Sequence, residues 1–157
     1  MVILPLPPPA EMERLLGALL GTEVRASPAD APPHGRVSLA HYASDAPVLE
    51  VVVLCDAPLA AALGAALSVM PPEAARRAAQ DEALDAALGE NVREVMQVVT
   101  RHLAARSGRR FVMRSCTWPP SDPAAPALAA ALGSDEVRAF RLDVAGYGAG
   151  RIAFCTL

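Results

Sequence analysis

Lysine is missing from this chain: all 14 of its basic residues are arginine. That removes Schiff-base chemistry on a lysine and the lysine of a phosphate-binding P-loop. Positive surplus is missing too. A formal net charge of −3 argues against nucleic-acid or anionic-membrane partners, because no excess cations exist to neutralise phosphates. Aromatic residues make up 4%, and the single Trp118 has no basic or aromatic companions with which to form a base-stacking platform. His34, His41 and His102 are isolated and no Cys-x-x-Cys spacing occurs, so the sequence names no metal site. Cys55, Cys116 and Cys155 each fall in a strand-like run, reading as reduced thiols packed as small apolar groups in a reducing cytoplasm. The apolar helix after Asp56 runs about 14 residues, short of the ~20 needed to span a bilayer. The start has no positive stretch ahead of its short apolar run, unlike a signal peptide. A soluble, cytoplasmic protein is expected.

What is present is a chain of 157 residues, 53% hydrophobic, enough for one domain with a substantial core. A Pro-rich segment (1–9) leads into a helix over 10–20, stopped by Gly21. A short strand (22–26), a loop (27–35) and strands 36–42 and 48–55 follow. The last of these is the strongest strand pattern and should be central. Asp56 caps an Ala/Leu helix running to about 70, with Pro58 tolerated in its first turn. Pro71-Pro72 breaks it, and a longer helical stretch continues to about 106, with an interruption expected at 80–82. A strand (110–118), a Pro/Ser/Asp loop, a short helix (127–132) and a hairpin (137–145 and 151–156 around a Gly-rich turn) close the chain. Strands grouped this way, rather than in strict βαβ alternation, indicate an α+β domain with an antiparallel or mixed sheet packed on long helices. No internal repeat or domain linker is visible.

The long helix carries the most informative segment, residues 90–99. At 100° per residue, Leu84, Leu88, Val92, Val95, Val98 and Val99 gather on one side, while Glu90, Glu94, Gln97 and Arg101 form a narrow strip on the other. A carboxylate and a carboxamide three residues apart on a rigid helix can reach into a partner's site together. The same strip also reads as an ordinary solvated face, with Glu90–Arg93 and Gln97–Arg101 as routine helix pairs. His102, on the apolar side, reads as a boundary histidine. Gly146–Gly150 lies between two strands rather than before a helix, so it is a hairpin turn and not a phosphate loop.

The layout together with Ala-Leu-Gly-Glu-Asn-Val-Arg-Glu-Val-Met-Gln-Val-Val (87–99) resembles the CheX/CheC family of chemotaxis phosphatases, from about residue 11 to the C-terminus as one CheX-like domain. That family presents Glu-x-x-Asn on its long helix, usually with Asp or Ser four residues before the Glu and a Gly shortly after the Asn. Glu94 and Gln97 take the Glu and Asn places; Glu90 stands at the Asp/Ser position and Arg101 in the region of the Gly. The resemblance implies a phosphatase acting on the aspartyl phosphate of a CheY-like receiver domain. Glu94 and Gln97 would form the catalytic pair, and Glu90, Arg93 and Arg101 partner-contacting residues. It implies no cofactor of the protein's own, since the receiver brings the Mg²⁺. Glu94 would pair with the receiver's active-site lysine, and Gln97 would hold a water in line with phosphorus. A non-catalytic receiver-binding or flagellar-switch-like module is the alternative, favoured by Gln in place of Asn. A third reading, an unrelated domain with a closed apolar ligand pocket, leaves Glu94 and Gln97 merely solvated. Members of that family of this size often pair, so the resemblance also implies a homodimer, with 48–55 or the terminal hairpin offering an edge.

Overall fold

The computed structural model describes residues 7–121 and 126–157. The elements in order are α1 (Pro9–Leu20), β1 (Val24–Pro28), β2 (Val37–Ser44), β3 (Glu50–Asp56), α2 (Ala57–Leu67) and α3 (Pro72–Asp81). They continue with α4 (Ala86–Ser107), β4 (Phe111–Ser121), α5 (Pro126–Leu132), β5 (Glu136–Val144) and β6 (Gly148–Thr156). Each boundary has a local cause. Pro9 opens α1, and Gly21 closes it in the left-handed region, φ 67°, at little steric cost. Asp56 caps α2 by accepting from the Leu59 amide at 3.0 Å, and Asp85 does the same for α4 through Leu88 at 2.8 Å. The interruption expected at 80–82 is real: Glu82 turns left-handed at φ 48°, ending α3 before α4 starts.

All strand pairs are antiparallel, in the order β1-β5-β6-β3-β2-β4. β3 is interior, as its unbroken apolar run suggested. This corrects the expected dimer edge: of residues 48–55, those from Glu50 onward form β3, bonded to β2 and β6, and both hairpin strands are paired on each side. Among the described residues the sheet edges are β1 and β4. The loop expected after Trp118 is also corrected. Strand β4 runs on through Ser121, pairing with Val37, and residues 122–125 lie outside those described, as do residues 1–6 of the Pro-rich segment. The hairpin turn is shorter than the five glycine-rich residues, because β6 already begins at Gly148.

The sheet has two unequal faces. One carries the main core, built from Tyr42, Val51, Val53, Phe140, Leu142 and Phe154 with α1, α2 and α4. The other is covered by α5, whose Leu128 and Ala131 pack on Val37, Leu39, Val52, Leu54, Ala153 and Cys155. Helix α2 lies enclosed: Leu59, Ala60, Ala61, Ala62, Leu63 and Ala65 are 0% exposed, because α3 lies on it through the buried Ala75 and Ala78. Small side chains let neighbours approach α2 closely. A Cβ added at Gly64 would stand 2.9 Å from the Leu88 carbonyl oxygen, so α2 and α4 touch there backbone to backbone. No helix among the described residues is long and apolar enough to cross a membrane.

Candidate functional site on the α4 face

The helix that carries the strip is α4, buried through Leu88, Gly89, Val92, Val95, Met96, Val99, Thr100 and Leu103. Val98, counted with the apolar set, is half-buried, and Leu84 is buried just ahead of the helix. Glu90, Glu94, Gln97 and Arg101 are all exposed, and among the described residues none of the four makes a hydrogen bond or an ion pair. The routine pairs Glu90–Arg93 and Gln97–Arg101 do not form. Instead the Arg93 guanidinium lies over the Trp118 ring, 5.9 Å from its centroid, a cation–π geometry. The structure therefore groups Glu94, Gln97, Glu90 and Arg101 on one open strip and sets Arg93 on its β4 flank.

Trp118 anchors that flank by packing. It lies so tightly on Gly89 that any Cβ there would collide with the indole. Beneath it Cys116 is half-buried, and burial pushes its thiol up to about 11 while Arg93 opposes the shift. The three cysteines are free thiols. On the opposite flank Asn91 donates through Nδ2 to the Gly64 carbonyl at 2.9 Å and to Ser68 Oγ at 2.5 Å. From below, Tyr42 on β2 donates its hydroxyl to the Met96 carbonyl at 2.9 Å, one residue before Gln97. His102 faces α1, with Nε2 3.5 Å from Glu11, and Arg106 reaches the same carboxylate at 2.5 Å.

Tyr42, Asn91 and Trp118 were not singled out for this site from the sequence. Tyr42 carried one usable signal: a tyrosine inside an apolar strand must find a partner for its hydroxyl. Nothing local pointed to α4 as that partner. The apolar cavity between α1 and α4, lined by Met12, Leu16, Val95 and Val99, has a volume of about 20 Å³, room for one water. Among the described residues no group of three or more His, Cys, Asp or Glu is placed to hold a metal ion.

A six-stranded antiparallel sheet with long helices packed on one face is an architecture shared with solved structures. The chain has the fold of CheX chemotaxis proteins and FliM middle domains. Over 95% of this chain and 87% of the other, it superposes on the FliM middle domain of Vibrio alginolyticus with a TM-score of 0.64 at 12% identity. It matches a FliG–FliM complex from H. pylori with a TM-score of 0.59 at 11% identity, covering 94% and 85%. The chemotaxis protein CheX from Vibrio vulnificus matches with a TM-score of 0.55 at 17% identity, covering 94% and 92%. No family model matches the sequence, and no curated protein does.

Proposed function

We propose that this protein docks the α4 face on a phosphorylated CheY-like receiver domain and speeds hydrolysis of its aspartyl phosphate. The observation that carries the reading is the pairing of Glu94 and Gln97, exposed and without a partner, on a helix fixed on both flanks. Side chains already engaged with their own helix would have to break those bonds to act; these do not. In this reading Glu94 pairs with a cationic group of the receiver and sets the register. The Gln97 carboxamide, with a carbonyl acceptor and two N–H donors, enters the partner's site and orients the attacking water. Mg²⁺ belongs to the receiver, and the chemistry is positioning rather than covalent work. Glu90 and Arg101 extend the contact along the strip, and Arg93, held on Trp118, borders it.

A second reading has a specific observation behind it. The superposition on the Vibrio alginolyticus FliM middle domain scores higher than the one on Vibrio vulnificus CheX, and Gln97 is one methylene longer than Asn. A switch-like module would use the same face for protein contact without hydrolysis. Phosphate loss from receiver domains of the same genome, measured with and without the protein, separates the two. The phosphatase reading expects faster loss that disappears in Gln97→Ala with binding retained, while Glu94→Ala weakens binding. Binding without faster loss supports the switch-like module. Neither binding nor faster loss overturns both.

A further inference from the structure

We propose that Tyr42 is a positioning residue for the α4 segment that presents Gln97, acting through the Met96 carbonyl. The inference rests on the receiver-phosphatase reading for its consequence in catalysis, but on geometry for its content. Tyr42 is 0% exposed and lies on β2, between β3 and β4, so its ring has no freedom to follow a moving helix. Its hydroxyl stays protonated, since burial holds the phenol well above its ordinary range, and it donates to Met96 at 2.9 Å.

The acceptor is unusual in its load. The Met96 carbonyl also receives the Thr100 hydroxyl at 3.2 Å, so two side-chain hydroxyls converge on one mid-helix carbonyl. Its peptide continues directly into Gln97. Asn91 provides the second tether, through the Gly64 carbonyl and Ser68. Glu94 and Gln97 thus project from a stretch of helix pinned to the sheet at one end and to α2 at the other. The two pins add directional restraints to the packing of the helix, and rotation of the helix about its axis decides where a long side chain ends. A catalytic amide that works by placement loses about 10²-fold for a 1 Å error. A buried tyrosine that merely satisfied its own hydroxyl could use any carbonyl in reach; this one uses the carbonyl whose peptide leads into Gln97.

The test compares Tyr42→Phe, which keeps the ring and removes the donor, with Val24→Ala, a destabilising change on the remote β1. Receiver dephosphorylation is measured at a temperature where both variants are fully folded, alongside amide hydrogen exchange along α4. The expected result for Tyr42→Phe is a fall in kcat of about 10-fold with KM unchanged, and faster exchange confined to amides 97–100; Val24→Ala leaves kcat and KM as in the wild type and speeds exchange along α4 without singling out 97–100. Wild-type activity with an unaltered kcat in Tyr42→Phe overturns the proposal. If the wild-type protein shows no activity, the phosphatase reading fails separately and exchange decides. Faster exchange confined to 97–100 then upholds the positioning role, and uniform or absent change overturns it.

Discussion

Replacing Gly64 by Ala sets two effects of opposite sign against each other. Ala in a helix interior is favoured over Gly by about 1 kcal/mol, and at an open site that gain would appear in full. At Gly64 the new Cβ would stand 2.9 Å from the Leu88 carbonyl oxygen and 3.3 Å from Val92 Cγ2. A side chain can rotate away from such a contact, but the carbonyl belongs to the backbone of α4 and yields only if the helix moves. Overpacking of this kind costs about 1–3 kcal/mol. Moving α4 also stretches the Asn91 bond to the Gly64 carbonyl, a further ~1 kcal/mol. The net expectation is a loss of about 1–3 kcal/mol, a fall in Tm of roughly 2–12 °C for a chain of this size. Gly17→Ala provides the contrast. Its Cβ would meet only the Thr22 carbonyl at 3.4 Å, an ordinary contact, so the helix-propensity gain should raise Tm by about 2–4 °C. Thermal unfolding followed by circular dichroism reads both. A rise in Tm for Gly64→Ala matching that of Gly17→Ala would refute the close approach of α2 and α4.

Gly89→Ala should displace the Trp118 indole from its seat, at a cost of about 1–3 kcal/mol. Trp118 is the chain's one tryptophan, so its fluorescence should shift to the red, and an unchanged spectrum would contradict the packing described. His102 gives a pH dependence. Burial first, with Arg106 assisting and Glu11 opposing, lowers its pKa from the ordinary 6.5. The folded protein therefore binds this proton less readily than the unfolded chain. The associated stability is complete above pH 6.5 and is lost as pH falls through the lowered value. Urea unfolding at pH 7 and pH 5 should show a smaller drop in stability for His102→Gln than for the wild type; equal drops would remove His102 from the account.

Much of this molecule was legible along the chain. Asp56 and Gly21 act through bonds and dihedral limits within a few residues of themselves and set helix ends where expected; α2 ends at Leu67, short of the expected 70, and Pro71-Pro72 starts α3. The apolar run of β3 marked an interior strand because a strand buried on both faces cannot alternate. The strip Glu90, Glu94, Gln97 and Arg101 followed from helical periodicity, and the structure exposes all four.

What the chain could not disclose were contacts between residues distant in sequence. The order of strands puts β3 and the hairpin inside the sheet and leaves β1 and β4 at its edges, since pairing depends on which faces must share the core rather than on local pattern. Arg93 left its routine helix partner because β4 brought Trp118 beneath it. Gly64 admits α4, Asn91 ties that helix to α2, and Tyr42 reaches Met96 across 54 residues. The sequence determined which side chains α4 would offer to solvent. Only tertiary structure decided how firmly the helix is held while it offers them, because that firmness comes from hydrogen bonds and close approaches that exist once the sheet and both helices have assembled.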